Sequence, residues 1–186
     1  GDFIYSKAFM LMNEIGNFKV IDELSSATNK IAEGELMQLA NKNNLNTSLQ
    51  QLKKISYYKT GRLFEASAKS AAMLSGKSIP FIENISKAAK LIGIAFQVRD
   101  DLLDYGVSKG NIGKPEMQDI LEDKITYPLY FALKYSNKKD SSKILKKLKN
   151  KDFSIEEVAD FVSSSNAFNK CNSLIQNYSN EISKCI

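Results

Sequence analysis

The sequence predicts an all-α protein, and three observations carry that prediction. Apolar residues recur every three to four positions along most of the chain, the spacing that lines one face of a helix. The β-branched, alternating runs between turn signals that strands require are few. Capping pairs stand where helices should begin, Ser48 with Gln51 and Ser154 with Glu157. With 186 residues, 43% of them hydrophobic and 25% charged, the chain is long enough for one helical domain with a sizeable core and leaves little room for a second.

In order along the chain, residues 2 to 15 form the first helix. It is apolar on all sides (Phe3, Ile4, Tyr5, Phe9, Met10, Leu11, Met12), so it belongs at the centre of a bundle or at a subunit interface. Gly16 and Asn17 end it. A second helix runs from about 18 to 41 with Val20, Ile21, Leu24, Ile31, Leu36 and Leu39 on its inner side, and "NKNNLNTS" is a polar loop. Ser48 caps a third helix that continues to about Ser75 and stops at Gly76. Its second half, "GRLFEASAKSAAMLSG", is rich in small residues that permit close helix contact. Ser78 and Pro80 open a fourth helix. After "GVSKGNIGKPEMQD" come "ITYPLYFALKYS", an amphipathic segment around 139–149, a helix capped by Ser154, and a terminal helix from about 166. No internal repeat or low-complexity linker interrupts this single domain.

The net charge of +5 comes from lysine; Arg62 and Arg99 are the only arginines. Readers of nucleic acid lean on arginine forks, so no nucleic-acid partner is expected, and the lysines from Lys134 to Lys151 read as a solvated helical face. Cys171 and Cys185, if both on the terminal helix, lie about 21 Å apart, too far for a disulfide. Reduced thiols point to the cytoplasm. No apolar run reaches the roughly 18 residues that a membrane span needs, and no signal-peptide pattern is present. The opening "GDFIYSKAFMLM" is already apolar and helical, which suggests the interior of a longer protein.

The segment "FQVRDDLLDY" carries the chemistry. On a helix over 90–105, Gln97, Asp100, Asp101 and Asp104 fall within an arc of about 100°. Leu91, Ile94, Ala95, Phe96, Val98, Leu102, Leu103 and Tyr105 cover most of the remaining circumference. A helix apolar on most sides with one acidic strip should line a cavity. Carboxylates that close repel one another unless cations balance them. An all-oxygen donor set, in a chain without histidine, favours a hard cation such as Mg²⁺ over zinc. Mg²⁺ completes its shell with water and substrate phosphate, so the strip implies a phosphorylated ligand. Lys59, Thr60, Lys114 and Lys124 are placed to meet such a ligand, although composition alone does not select among the lysines.

These motifs resemble those of the trans-polyprenyl diphosphate synthases, with the long-chain octaprenyl type closest. "AFQVRDDLLDY" followed by "GKPEMQDILEDKITYPL" resembles the second aspartate-rich region of that family. "YYKTGRLFEASAKSAAMLSG" resembles its Lys-Thr helix and "IAEGELMQL" the helix before it, while "GDFIYSKAF" is similar to the segment after the first aspartate-rich region. The likeness runs from Gly1 to about residue 135. It implies an isoprenoid synthase-type helical bundle around a central cavity, usually a homodimer, that joins an allylic prenyl diphosphate to isopentenyl diphosphate and hands an apolar product to the membrane. It further implies that Asp100, Asp101 and Asp104 hold Mg²⁺ and that Lys59, Lys114 and Lys124 contact the diphosphate. Thr60 and Gln97 would support the site and Phe96 would border the substrates, leaving Asp100, Asp101 and Lys59 as the catalytic group.

The departures from the family pattern are specific. No second DDxxD occurs, and the arginines, Gly-Lys-Arg segment and histidine that bind isopentenyl diphosphate in the family are missing. The chain is therefore expected to be the C-terminal portion of a synthase and inactive alone. Asp123 stands where glycine is common, and Gln118 where an acidic residue is frequent. The alternatives are a regulatory subunit that has kept the fold, or a terpene cyclase-like lyase.

Overall fold

The structure, a computed structural model, describes residues 1–106 and 117–186. Among these residues the architecture is helical throughout, without strands. The elements are α1 (Asp2–Ile15), α2 (Phe18–Ala40), α3 (Leu49–Ser56), a π-turn (Tyr57–Gly61), α4 (Arg62–Leu74), α5 (Ile79–Asp104), α6 (Gln118–Leu121), α7 (Tyr127–Tyr135), α8 (Lys138–Asn150), α9 (Ile155–Ser164) and α10 (Ala167–Ile182). The start signals behave as their chemistry requires. Ser48 accepts from the Gln51 N–H and Ser154 from the Glu157 N–H, both at 3.1 Å, and Pro80 sits in the first turn of α5. Gly16 closes α1 in the left-handed region at φ 63°.

Helix α5 is the axis of the bundle, packed by α4, α7, α10 and the π-turn. Val98 and Leu102 from α5 meet Leu52 from α3, Tyr127, Leu129 and Phe131 from α7, Val158 and Val162 from α9, and Ala167 and Cys171 from α10 in one core. Burial of each such side chain contributes about 1.5–3 kcal/mol. Leu102, fully enclosed, is expected to cost about 2–5 kcal/mol when cut to alanine. Small residues of the α4 segment, Ala66, Ser70 and Ala72, are buried, and α4 packs against both α2 and α5.

The sequence reading held residues 48–75 to be one uninterrupted helix; the structure inserts the π-turn. Two glycines explain how the bundle accommodates that bulge. A Cβ on Gly34 of α2 would lie 2.7 Å from the Lys59 backbone nitrogen, and one on Gly93 of α5 would lie 2.5 Å from the Gly61 Cα. In both cases the added Cβ meets backbone atoms, which a rotamer change cannot move. Gly93→Ala is therefore expected to destabilise the protein by about 2 kcal/mol or more, read from the urea midpoint. Beneath the turn, Glu23 of α2 is ion-paired to both Arg62 and Lys69 of α4. Burial opposes the charge of Glu23, but Lys69 and Arg62 outweigh it and hold the carboxyl below its ordinary value.

Helix α1 has no buried residue, and Phe3, Ile4 and Phe18 are among the most exposed side chains. The central or interfacial burial expected of α1 is not supplied by the other described residues. The lysines of α8 do form a solvated face, tied down at one margin by Lys147 to Glu157 and by Lys151, just past the helix, to Asp123. Asp123 has φ 61°, which accounts for glycine being common at that place; Met117 has φ 60° and is left-handed as well. Cys171 is enclosed in the core, and Cys185 lies beyond the end of α10; both are free. Among the described residues no helix is long and apolar enough to cross a membrane.

Candidate active site

The acidic strip of α5 opens into a cavity of about 250 Å³ walled by α2, α3, the π-turn, α5, α6 and the segment leading into α7. Asp100, Asp101, Asp104 and Gln97 of α5 form one wall. Lys59 of the π-turn and Gln38 of α2 form a second. Gln118 and Asp119 of α6, with Glu122, Lys124 and Tyr127 after it, form the third. The helical wheel thus placed the three aspartates and Gln97 on one face correctly.

Their environments differ, and the differences assign distinct work to each. Asp100 is half-buried and accepts from Gln97 Nε2 at 3.3 Å. Asp101 is buried and accepts at both oxygens, from Gln97 Nε2 at 2.9 Å and from the Tyr127 N–H at 3.2 Å. Burial is the main force on its carboxyl, and the charges of Asp119 and Asp100 add to it. The Gln97 and Tyr127 donors only partly offset these effects, and the pKa is pushed up to about 7. Asp104 is turned toward α6, where its two oxygens accept the Gln118 and Asp119 N–H groups, each at 3.1 Å. It ties the start of α6 to the end of α5, helped by Met117, whose N–H donates to the Asp104 carbonyl at 2.8 Å.

The supporting residues form a directed chain. Thr60 Oγ1 donates to Gln97 Oε1 at 2.8 Å. With its carbonyl so occupied, the Gln97 amide must present its NH₂ to Asp100 and Asp101. Thr60 does not line the cavity and acts on it through Gln97. Gly61, packed on α5, brings that hydroxyl within reach.

Both described lysines are already engaged. Lys59 donates to Gln38 Oε1 at 2.7 Å and pairs with Glu35 at 3.3 Å. Lys124 pairs with Glu122 at 2.7 Å and Asp119 at 3.6 Å. Burial acts against the charge of Lys124, but those carboxylates outweigh it and hold the ammonium above its ordinary value. Lys114 lies outside the described residues. Phe96 is exposed on α5, away from the cavity wall, with its ring centroid 5.7 Å from that of Phe64. Asp119, Gln38 and Glu122 were not singled out from sequence. All three lie inside segments quoted for the resemblance, "GKPEMQDILEDKITYPL" and "IAEGELMQL", but nothing in those segments set them apart from their neighbours.

Among the described residues no three carboxylates converge closely enough to form a closed metal cage. That arrangement fits an ion which takes one or two carboxylates and fills its shell with water and phosphate. It would not fit one that needs a complete protein shell. The donors are all oxygen, and the cavity carries more carboxylates than lysines, an excess that a hard cation offsets.

The helical bundle is that of an isoprenoid synthase, and the chain belongs to the polyprenyl synthetase family, whose model it matches over residues 1–164. Its relatives sharpen the picture. Over 144 residues it is 38% identical to the octaprenyl diphosphate synthase of Escherichia coli (strain K12), which covers 77% of this chain and 45% of that protein. Over 172 residues it is 33% identical to an all-trans-nonaprenyl-diphosphate synthase (geranyl-diphosphate specific) of Rhodobacter capsulatus, 92% of this chain and 53% of that one. Among solved structures, a polyprenyl synthase from Caulobacter crescentus, complexed with calcium and isoprenyl diphosphate, matches with a TM-score of 0.91 and 28% identity. The match covers 99% of this chain and 57% of that chain. The chain spans about half the length of the relatives it matches.

Proposed function

We propose that the chain supplies the second aspartate-rich half-site of a prenyltransferase that condenses isopentenyl diphosphate with an allylic diphosphate to make a long-chain trans-polyprenyl diphosphate. One observation carries this reading. In a member of the family, Asp100, Asp101 and Asp104 open into a single cavity faced by Lys59 and Lys124. Asp100, Asp101 and Asp104 would form the Mg²⁺ site, one or two of them as direct ligands and the rest through the ion's water shell, and the ion when bound would neutralise charge on a departing diphosphate.

The protein's own groups do the remainder. Lys59 and Lys124 would move from Glu35 and Glu122 to diphosphate oxygens, exchanging one anionic partner for another. Lys114 is proposed as a third contact on the strength of the motif alone. Thr60 and Gln97 would keep the aspartate carboxylates aimed at the cavity, so that little reorganisation is needed as charge develops. The allylic carbon–oxygen bond breaks with its electron pair leaving on the diphosphate. The isopentenyl double bond then attacks the allylic cation, and loss of a proton restores neutrality. Phe96 and Phe64 would contribute apolar surface near the substrates and keep water from the cation.

The reading extends to assembly and place. The exposed apolar residues of α1 support a homodimer or another partner. A product that grows by apolar units would be passed from a cytoplasmic enzyme to the membrane. The intact carboxylates and lysines favour this reading over a regulatory subunit. The test is product analysis by mass spectrometry with Mg²⁺, farnesyl diphosphate and isopentenyl diphosphate. The chain would be assayed alone and then with a separate polypeptide carrying a first aspartate-rich motif. Elongation only in the combined sample is the expected result. Elongation by the chain alone would contradict the half-site reading, and silence in both would shift the assignment to a non-catalytic subunit.

A further inference from the structure

The π-turn contains a geometric relation that an ordinary helix could not hold. Tyr57, its first residue, donates its hydroxyl to Glu65 Oε2 at 2.6 Å, eight positions along the chain. In a regular α-helix, residues i and i+8 are about 80° apart around the axis. A π-turn loops out one residue, so that Tyr57 and Glu65 stand as i and i+7 would, within about 20° of the same face. The hydrogen bond is therefore available in the π-register and lost in the straight one.

Both partners are fixed by further contacts. Glu65 also faces Arg62 at 3.5 Å and accepts from Ser86 Oγ of α5 at 3.2 Å. Lys90 lies over the Tyr57 ring, 4.2 Å from its centroid, and the ring packs beside Leu91, Ile94 and Tyr178. Among the residues enclosed between the two anchors are Lys59, which lines the cavity, and Thr60, which orients Gln97. Rotation of this segment by one residue, about 100°, would remove both from the site.

We propose that the Tyr57–Glu65 hydrogen bond locks the π-register and so makes Tyr57 and Glu65 positioning residues for the diphosphate end of the site, acting through Lys59 and Thr60. The ligand named here rests on the proposed function; the lock does not. Two readouts separate them. Amide hydrogen exchange across 57–62 reports the register whatever the chain binds. Tyr57→Phe is expected to speed it about tenfold, the loss of one hydrogen bond. Glu65→Ala should do the same, while Glu65→Gln, which keeps an acceptor oxygen, should stay within about threefold of the parent. Unchanged exchange in Tyr57→Phe overturns the lock.

Calorimetric titration with pyrophosphate in the presence of Mg²⁺ reports positioning. Tyr57→Phe should weaken binding about tenfold in the parent but by less than about twofold in a background carrying both Lys59→Ala and Thr60→Val, because residues acting through one another are not additive. Equal losses in both backgrounds would reduce Tyr57 to a general stabilising residue and overturn the positioning role. If the parent chain binds no pyrophosphate with Mg²⁺, the proposed function falls and the positioning role with it. The exchange data still decide the lock.

Discussion

Asp100→Ala is expected to reduce the Mg²⁺-dependent turnover of the completed enzyme by at least about a thousandfold, the scale on which removal of a charge-stabilising group acts. The far-ultraviolet circular dichroism should stay unchanged. The site's own asymmetry selects this residue. Asp101 is bound at both oxygens to Gln97 and the Tyr127 backbone, and Asp104 carries the start of α6, so substitution of either would disturb the fold as well as the chemistry. Asp100 lines the same cavity but is only half-buried, so its removal disturbs less packing. Steady-state kinetics give the answer, and retention of full activity would sink the assignment of the acidic strip.

The second large effect concerns pH. Asp101 titrates at about 7 in the folded protein, against an ordinary value of 3.8. Between those values the metal-free folded state holds a proton that the unfolded state has released. Its stabilising contribution is complete below about pH 4 and is lost as pH rises through 7, a swing of up to about 4 kcal/mol. Urea denaturation of the metal-free chain at pH 5, 6, 7 and 8 should show this decline, and Asp101→Asn should flatten it. The comparison with that variant matters because Glu23, held below its ordinary value, contributes with the opposite sign at lower pH. A divalent cation bound at Asp101 as proposed would displace the same proton, so Mg²⁺ should raise the melting temperature more at pH 8 than at pH 6. An equal rise at both would contradict a shared site.

What was legible in the sequence follows from what each feature depends on. Helix extents and caps depend on near neighbours, so Ser48, Pro80 and Ser154 announced their helices. The placement of Gln97, Asp100, Asp101 and Asp104 on one face required only the helical period. The π-turn was not legible, because "YYKTG" has no local signature that distinguishes it from α-helix. The extra residue is admitted by Gly34 and Gly93, which arrive from other helices. Asp119 and α6 were missed for a related reason. A four-residue helix has almost no intrinsic stability, and this one begins where Asp104 satisfies its first N–H groups. Phe96 was matched to the substrates by motif, yet its ring lies beside Phe64 rather than on the cavity wall. The lysine identities came from the resemblance alone, since their positions depend on where α2, the π-turn and the segment after α6 meet.

The two free cysteines have a practical consequence for every experiment above. Burial pushes the Cys171 thiol up to about 12, and its sulfur is sealed inside the core. Cys185 lies past α10 and is partly open. A maleimide added near neutral pH will therefore attach a single fluorophore at Cys185 without any substitution. Quantitative appearance of the second adduct then becomes a clock for global opening of the core, since Cys171 reacts only when α5, α7 and α10 separate. Titrating that clock with Mg²⁺ would measure how firmly the acidic strip, once loaded, fastens the bundle.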